Sequence, residues 1–271
     1  MSRIADRFAA LAQARRKGLI TFITAGDPTA MATPEFMHAL VRGGADVIEL
    51  GVPFSDPMAD GEVIQRASER ALAAGASVSE VLACVAAFRK RDKLTPVVLM
   101  GYLNPLEHMG AVAFAAAAAD AGVDGVLVVD LPPEEAAEFN REMTAAGLDQ
   151  IFLVAPNSSE RRIRTVCELA SGFVYFVSVT GVTGGKAVAV DDIRQGIEMT
   201  RRIAGIPVGI GFGIRTAEAA ASAAAIADAI IVGSALVELI EVGGGTEAVA
   251  GTIENFAASL RAAIDGRADA A

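Results

Sequence analysis

The sequence of 271 residues contains no tryptophan, and only 5% of its residues are aromatic. Proteins that hold single-stranded nucleic acid stack the bases on aromatic side chains, and this chain has few of them. Positive charge is also scarce, since 23 Lys and Arg stand against 33 Asp and Glu for a formal net charge of -10. Binding to a phosphate backbone needs a concentrated basic face. We therefore expect no nucleic-acid partner.

Residues that bind metals or form covalent intermediates are equally rare. The chain has two cysteines, Cys84 and Cys167, and two histidines, His38 and His108. They form neither a Cys-x-x-Cys pair, nor a metal-ligand spacing, nor a recognisable Cys–His arrangement. We interpret both cysteines as buried thiols in a reducing compartment. The sequence therefore predicts a site without a metal or a covalent nucleophile.

Long hydrophobic runs are missing as well. A membrane span needs about 20 apolar residues, and the run Ala111–Ala119 is interrupted by Asp120. Near the N-terminus, Ile4, Phe8 and Leu11 recur at helical spacing among charged residues, as in an amphipathic helix and unlike a signal peptide. We expect a cytoplasmic protein with no membrane partner.

Apolar residues make up 53% of the sequence, and eight short apolar runs alternate with longer helical patterns. Such nearly continuous apolar runs are typical of parallel strands buried on both faces. The runs are Leu19–Thr24, Val47–Leu50, Pro96–Gly101, Gly125–Val129, Gln150–Val154, Phe173–Ser178, Pro207–Gly211 and Ala229–Val232.

Eight strand–helix units with no linker between them predict an α/β fold, a (β/α)8 barrel that forms one domain over residues 1–271 with an ordered core of about 3–264. An additional helix precedes the first strand, and a short one starts near Ser234 after the last. A doubly wound open sheet is the structural alternative, but eight units with nothing left over fit a closed barrel better.

Two carboxylates stand where the active face of such a barrel is built, at strand carboxyl ends and in the loops that follow. Glu49 lies near the end of the second strand, and Asp60 lies in the long loop after it. Burial in the barrel mouth would raise the pKa of Glu49 toward neutrality. The ordinary interpretations are a solvent-exposed Glu49 at the rim and an Asp60 that caps the next helix.

Glycine-bearing segments follow the last three strands, at Thr180–Gly185, Gly211–Ile214 and Val232–Ala235. Glycine lets backbone N–H groups approach a ligand closely, and the loops after strands seven and eight are the usual phosphate site of these barrels. The sequence therefore predicts a small phosphorylated substrate. No nucleotide-binding glycine motif opens a helix here.

The segment Glu49–Pro57 (ELGVPFSDP), continued by Ala59–Gly61, closely resembles the signature of the tryptophan synthase alpha chain family. Further matches are FITAGDP (Phe22–Pro28), Gly101-Tyr102 with Asn104-Pro105, Asp130-Leu131-Pro132, SVTGVTG (Ser178–Gly184) and GIGFG (Gly209–Gly213). The resemblance extends from about Arg3 to Ala263. It implies a lyase of tryptophan biosynthesis that cleaves indole-3-glycerol phosphate to indole and glyceraldehyde 3-phosphate by a retro-aldol reaction.

The resemblance also implies roles for individual residues. Glu49 matches the catalytic acid and base that protonates indole C3 and takes the side-chain hydroxyl proton. Asp60 matches the carboxylate that accepts a hydrogen bond from the indole N–H, and Thr183 matches a residue of the closing loop. The indole pocket is matched by Phe22, Tyr102, Leu127, Tyr175 and Phe212. The phosphate cradle is matched by Gly184, Gly213, Gly233 and Ser234.

The partner implied by the resemblance is a pyridoxal-phosphate-containing beta chain in an α₂β₂ heterotetramer, which receives the indole, while this chain has no cofactor of its own. We expect the beta chain to dock on Pro53–Asp60 and on the segments near Asn104 and Asp130. Two alternatives stay open on the sequence. One is another sugar-phosphate barrel enzyme, an isomerase or epimerase; the other is a mainly regulatory binding subunit with little turnover of its own.

Overall fold

The computed structural model describes residues 2–177, 190–211 and 213–266. Three of the predicted site residues, Thr183, Gly184 and Phe212, lie outside the described residues, as does the rest of the motif after the sixth strand.

Eight parallel strands form a closed barrel in chain order, in which the last strand pairs with the first. The strands are β1 (Gly18–Thr24), β2 (Val47–Gly51), β3 (Val97–Gly101), β4 (Gly125–Val128), β5 (Asp149–Val154), β6 (Val174–Val177), β7 (Val208–Gly211) and β8 (Ala229–Val232). All eight predicted strands are confirmed, with ends that differ by at most one residue. The closed order contradicts the open-sheet alternative.

Helices surround the barrel, and the two additional helices predicted from the sequence are among them. The described helices are α1 (Arg3–Gln13), α2 (Ala32–Arg42), α3 (Glu62–Ala73), α4 (Val78–Phe88), α5 (Leu103–Met109), α6 (Ala111–Ala121), α7 (Ala137–Ala145), α8 (Glu160–Leu169), α9 (Val190–Ala204), α10 (Ala217–Ala224), α11 (Ser234–Val242) and α12 (Thr246–Ile264). Helix α11 is the short helix that follows the last strand.

Strand residues alternate between two cores. On β2, Ile48 and Leu50 face the surrounding helices and belong to the larger core, whereas Val47 faces the barrel interior. The apolar stripe of α1, formed by Ile4, Phe8 and Leu11, packs against the interior residues and closes the amino-terminal end of the barrel. The carboxyl-terminal end of the barrel is thereby left as the face on which the predicted site residues meet.

An aspartate immediately before three of the even-numbered strands ties the amino-terminal end of the barrel together. Each carboxylate accepts a hydrogen bond from the backbone N–H at the start of the preceding strand and pairs with an arginine. The pairs are Asp46 with Leu19 N at 2.9 Å, Asp124 with Val97 N at 2.8 Å, and Asp228 with Val208 N at 3.0 Å. The arginines are Arg261, Arg89 and Arg201, respectively.

Among the described residues, no single helix has both the length and the hydropathy of a membrane span; the bent pair α3 and α4 passes such a test by length and composition only. Within the same residues, no group of three or more His, Cys, Asp or Glu side chains is arranged to hold a metal ion.

Candidate active site

Glu49 is a carboxylic acid buried inside the barrel near the carboxyl end of β2. It has the same strand parity as Val47 and therefore faces the interior, and only 1% of its surface is exposed. Neither carboxyl oxygen has a hydrogen-bond partner among the described residues. The structure thus contradicts the interpretation of Glu49 as a solvent-exposed residue at the rim.

Burial without a compensating partner changes the acidity of this group. Because desolvation penalises the charged form, it raises the pKa of Glu49 from 4.5 to about 8. The group is then mostly protonated at neutral pH and ready to donate a proton. Once it has donated, the carboxylate is left in a low-dielectric site and is a strong base.

Asp60 lies in the loop after β2, directly before Gly61 and helix α3. Its Oδ2 accepts a hydrogen bond from the Tyr102 hydroxyl at 3.1 Å, and that hydroxyl itself accepts from the backbone N–H of Ala59 at 2.9 Å. The cap of α3 is Gly61, with no side-chain hydrogen bond. Asp60 is therefore not the helix cap that its sequence position also allowed, and its carboxylate is turned to Tyr102 instead.

Two opposing effects act on the acidity of Asp60. Burial raises its pKa, and the hydrogen bond from Tyr102 opposes that rise because it stabilises the ionised form. Burial also raises the pKa of the Tyr102 phenol, which therefore stays a hydrogen-bond donor. The two carboxyl groups thus have different environments: Asp60 accepts a hydrogen bond from Tyr102, whereas Glu49 has no donor among the described residues.

A small cavity of about 10 Å³ joins Asp60, Phe22 and Tyr102. Tyr102 is 3% exposed and its ring lies 5.2 Å from that of Phe54, centroid to centroid. The remaining lining residues are Thr24, Gly51, Val52, Ile64, Ser68, Met100, Gly101 and Val129. Phe22, at the level of Glu49 on the neighbouring strand, thus forms one wall of the site.

Tyr175 on β6 approaches the same carboxyl groups from the opposite side of the barrel. Burial raises the pKa of its phenol first, and the nearby Glu49 and Asp60 raise it further. Its hydroxyl lies over Gly211, where an added Cβ would come within 2.2 Å of it. Leu127 lies deeper, fully buried in the interior core. The fold therefore brings Tyr175 and Phe22 to the two carboxylates, whereas Leu127 lies among the core side chains.

The predicted phosphate residues after β7 and β8 are neighbours on the active face. Gly213 has a left-handed φ of 57°, and a Cβ added there would meet nothing within 4 Å. Gly233 is the cap of α11, and Ser234 is its first residue, with no side-chain cap bond. The first backbone N–H groups of a helix have no intrahelical partner and attract anions. This corner of the site suits a phosphate.

Several residues that line this cavity were not predicted from the sequence. Met100 and Val129 stand at strand carboxyl ends, so the strand-end rule could have found them. Ser68 lies one helical turn after Ile64 on α3, and both line the cavity, but only the packing of that helix shows which of its faces is turned inward.

Comparison with known proteins identifies the family of the chain. The family model described as tryptophan synthase alpha chain matches residues 8–265. The tryptophan synthase alpha chain of Burkholderia thailandensis is 60% identical over 268 residues, covering 99% of this chain and 98% of that protein. That of Burkholderia multivorans is 59% identical over 271 residues and the full length of both.

Solved structures give the same result. Tryptophan synthase subunit alpha from Legionella pneumophila superposes with a TM-score of 0.90 at 43% identity, over 98% of this chain and 99% of that one. A Mycobacterium tuberculosis tryptophan synthase structure gives a TM-score of 0.88 at 37% identity, over 97% and 98%. With its closed barrel, its buried Glu49 beside a partly buried Asp60, and these matches over nearly its whole length, the chain belongs to the tryptophan synthase alpha chain family.

Proposed function

We propose that Glu49 and Asp60 are the catalytic residues with which this chain carries out the alpha reaction of its family. The chain cleaves indole-3-glycerol phosphate to indole and glyceraldehyde 3-phosphate in tryptophan biosynthesis. Membership of this family removes the alternative of a sugar-phosphate isomerase or epimerase.

The reaction needs a proton at one carbon and loses one at an oxygen. Protonation of indole C3 makes that carbon tetrahedral and produces an indolenine whose ring nitrogen can accept electrons. As the side-chain hydroxyl loses its proton, the carbon–carbon bond breaks, an aldehyde forms and the electron pair restores the aromatic indole. One group can do both proton transfers if its pKa lies near neutrality.

Glu49 has the properties that this proton shuttle requires. The observation that carries the proposal is its buried carboxyl, which has no hydrogen-bond partner among the described residues. With a pKa of about 8 it holds a proton at neutral pH and can give it to C3. The resulting carboxylate, desolvated by the barrel interior, then takes the hydroxyl proton. Each cycle returns Glu49 to its starting state.

Asp60 acts on the indole nitrogen. A carboxylate that accepts from the N–H stabilises the positive charge that develops there when C3 is protonated. The Tyr102 hydroxyl, 3.1 Å from Oδ2, favours the ionised form that this role needs. From the resemblance to the family, we further propose that Phe22, Tyr102, Tyr175 and Phe212 enclose the indole ring, with Leu127 beneath them in the interior core. The phosphate residues in this proposal are Gly184, Gly213, Gly233 and Ser234. Thr183 takes the role of the matching residue in the family's closing loop.

The partner in this proposal is a tryptophan synthase beta chain, in an α₂β₂ assembly, and pyridoxal phosphate is held there while this chain carries no cofactor. The docking segments Pro53–Asp60, Asn104 and Asp130 follow three consecutive strands and so lie side by side on the active face. Met58, within the first of them, is 85% exposed. A partner seated here would receive indole directly from the site, in the cytoplasm.

Indole release from indole-3-glycerol phosphate tests the proposal, with wild type and Glu49→Gln each measured with and without a beta chain. We expect release by wild type, stimulation by the beta chain, and a loss of about 10² to 10⁴ in rate for Glu49→Gln. Retention of more than about a tenth of the wild-type rate in Glu49→Gln would remove the assigned role. Unchanged activity at saturating beta chain would refute the coupling, and negligible turnover even with it would leave a mainly regulatory subunit.

A further inference from the structure

A buried carboxylate next to the active face, Asp27, forms an ion pair with Arg70 of helix α3. Asp27 follows β1, and its side chain is 1% exposed. Arg70 of α3 donates to both of its oxygens, from Nε to Oδ1 at 2.9 Å and from Nη2 to Oδ2 at 2.8 Å. This two-pronged geometry fixes the guanidinium plane, so that α3 has a defined position relative to the loop after β1.

The third nitrogen of the same guanidinium reaches a different helix. Nη1 of Arg70 donates to Oε1 of Glu241 on α11 at 2.9 Å. Arg66, one turn before Arg70, donates to both oxygens of Glu241 at 2.7 and 2.8 Å. Glu241 thus receives three hydrogen bonds from α3. The two helices also share an apolar contact, in which Ala67 and Val237 pack with Phe22.

Both helices begin at groups assigned to the reaction. Asp60 precedes α3 by one residue, Gly61, and the Gln65 side chain on the first turn of α3 donates to the Asp60 carbonyl at 2.8 Å. Helix α11 starts at Ser234, next to Gly233. The relative position of α3 and α11 therefore sets the distance between the indole carboxylate and the phosphate donors.

The segment after β7 is attached to the same helix. Arg215, two residues beyond Gly213, pairs with Glu238 of α11. Glu238 and Glu241 are three residues apart and share one face of that helix. One acidic face of α11 therefore contacts both the helix that follows Asp60 and the loop that contains Gly213.

We propose that Arg70 is a positioning residue of the reaction: through Asp27 and Glu241 it holds the Asp60 helix at a set distance from the phosphate-binding helix. This inference rests on the roles proposed above for Asp60 and for the amino-terminal end of α11. Surface ion pairs by themselves contribute little to stability, whereas a misplacement of about 1 Å at a reacting group costs about 10²-fold in rate. The network is placed where geometry matters most.

The first test compares Arg70→Lys and Glu241→Gln with wild type in indole release. Lysine keeps the positive charge but cannot make the two-pronged hydrogen bond of the guanidinium to Asp27. Arg70→Lys therefore tests the geometry of the contact while the charge is unchanged. We expect kcat/KM to fall about tenfold or more in both variants, at temperatures well below their unfolding midpoints. Arg42→Gln is the matched control, because Arg42 pairs with Glu254 between α2 and α12, away from Asp60 and α11. We expect it to keep kcat/KM within about twofold of wild type.

The second test is a double-mutant cycle with Asp60→Asn. If Arg70 acts by placing Asp60, Arg70→Lys lowers kcat strongly in wild type and adds little once Asp60 is Asn. Multiplicative losses, or an Arg70→Lys variant that loses thermal stability but keeps kcat and KM, would overturn the positioning role alone. Full activity of Asp60→Asn would instead overturn the proposed role of Asp60, and this inference with it.

Discussion

Glu49, the proposed catalytic acid and base, is also a side chain whose burial has a cost for the stability of the fold. The barrel interior around it provides no hydrogen-bond partner from the described residues, and the carboxyl is excluded from water. Unfolding moves the group back into water, where its pKa returns to about 4.5. The difference in proton binding between the two states links Glu49 to the pH dependence of stability.

This linkage has a definite sign. Because the pKa of Glu49 is higher in the folded state, its contribution to stability is fully present below about 4.5 and is lost as pH rises through about 8. Between about pH 5.5 and about pH 7.5 the unfolding free energy of wild type should fall relative to that of Glu49→Gln by roughly 2 to 3 kcal/mol. Urea unfolding of both proteins at the two pH values measures the difference. An equal pH dependence in the two proteins would mean that Glu49 is ionised in the folded state.

At the scale of elements, the loops after β7 and β8 carry the groups that we propose bind the phosphate. The loop after β7 uses a left-handed Gly213 with open space where a Cβ would be, and the loop after β8 presents the free end of α11. Gly147, at the start of the α7–β5 connection, also has a left-handed φ, 78°, and open space where a Cβ would be. It lies at the opposite end of the barrel. A substitution there imposes the same backbone strain as one at Gly213, without a change at the proposed phosphate site.

Gly213→Ala and Gly147→Ala should therefore differ in function but not in strain. Each places a side chain at positive φ, which costs about 1 kcal/mol of stability. In addition, Gly213→Ala adds a methyl group next to the proposed phosphate site, so we expect its KM for indole-3-glycerol phosphate to rise about tenfold, while Gly147→Ala keeps the wild-type KM. Steady-state indole release and thermal unfolding of both variants check this. Equal KM values would place the phosphate elsewhere.

At the scale of the whole molecule, the residues that stabilise the barrel and the residues proposed for the reaction lie at opposite ends of it. The carboxylates that pair with backbone N–H groups and arginines, such as Asp124, stand at the amino-terminal end. Glu49 and Asp60 lie at the carboxyl-terminal end. Asp124 accepts from Val97 N and pairs with Arg89, whose side chain is 7% exposed. Removal of Asp124 takes the acceptor from Val97 N and leaves Arg89 with only the longer contact to Asp92, at 3.9 Å, as a carboxylate partner among the described residues.

Asp124→Ala should accordingly destabilise the fold by about 3 to 5 kcal/mol while the activity per folded molecule is kept. Glu35→Gln is the control, because Glu35 pairs with Arg91 where both side chains are at least half exposed, and we expect less than about 1 kcal/mol. Chemical denaturation and indole release measure the two effects. A loss of turnover in folded Asp124→Ala would show that the two ends are coupled.

Local patterns alone predicted the architecture and part of the site. Eight apolar runs separated by helical segments leave few arrangements other than a closed parallel barrel, because strands buried on both faces need helices around them. The position of Glu49 near a strand carboxyl end and of Asp60 in the following loop made both candidates for the site, and glycines after the last strands favour a phosphate. These conclusions depend on periods and caps that span only a few residues.

Tertiary structure alone decided which distant groups meet. Tyr102 reaches Asp60 across 42 positions of the chain, and Arg70 reaches Glu241 across 171. Sequence position also allowed Asp60 as a helix cap, but Gly61 takes that place and the Asp60 carboxylate turns to Tyr102. Such pairs form only when barrel closure brings successive strand ends to one face. The sequence therefore determined the fold and the chemical types of the site, and closure of the barrel determined their partners, distances and acidities.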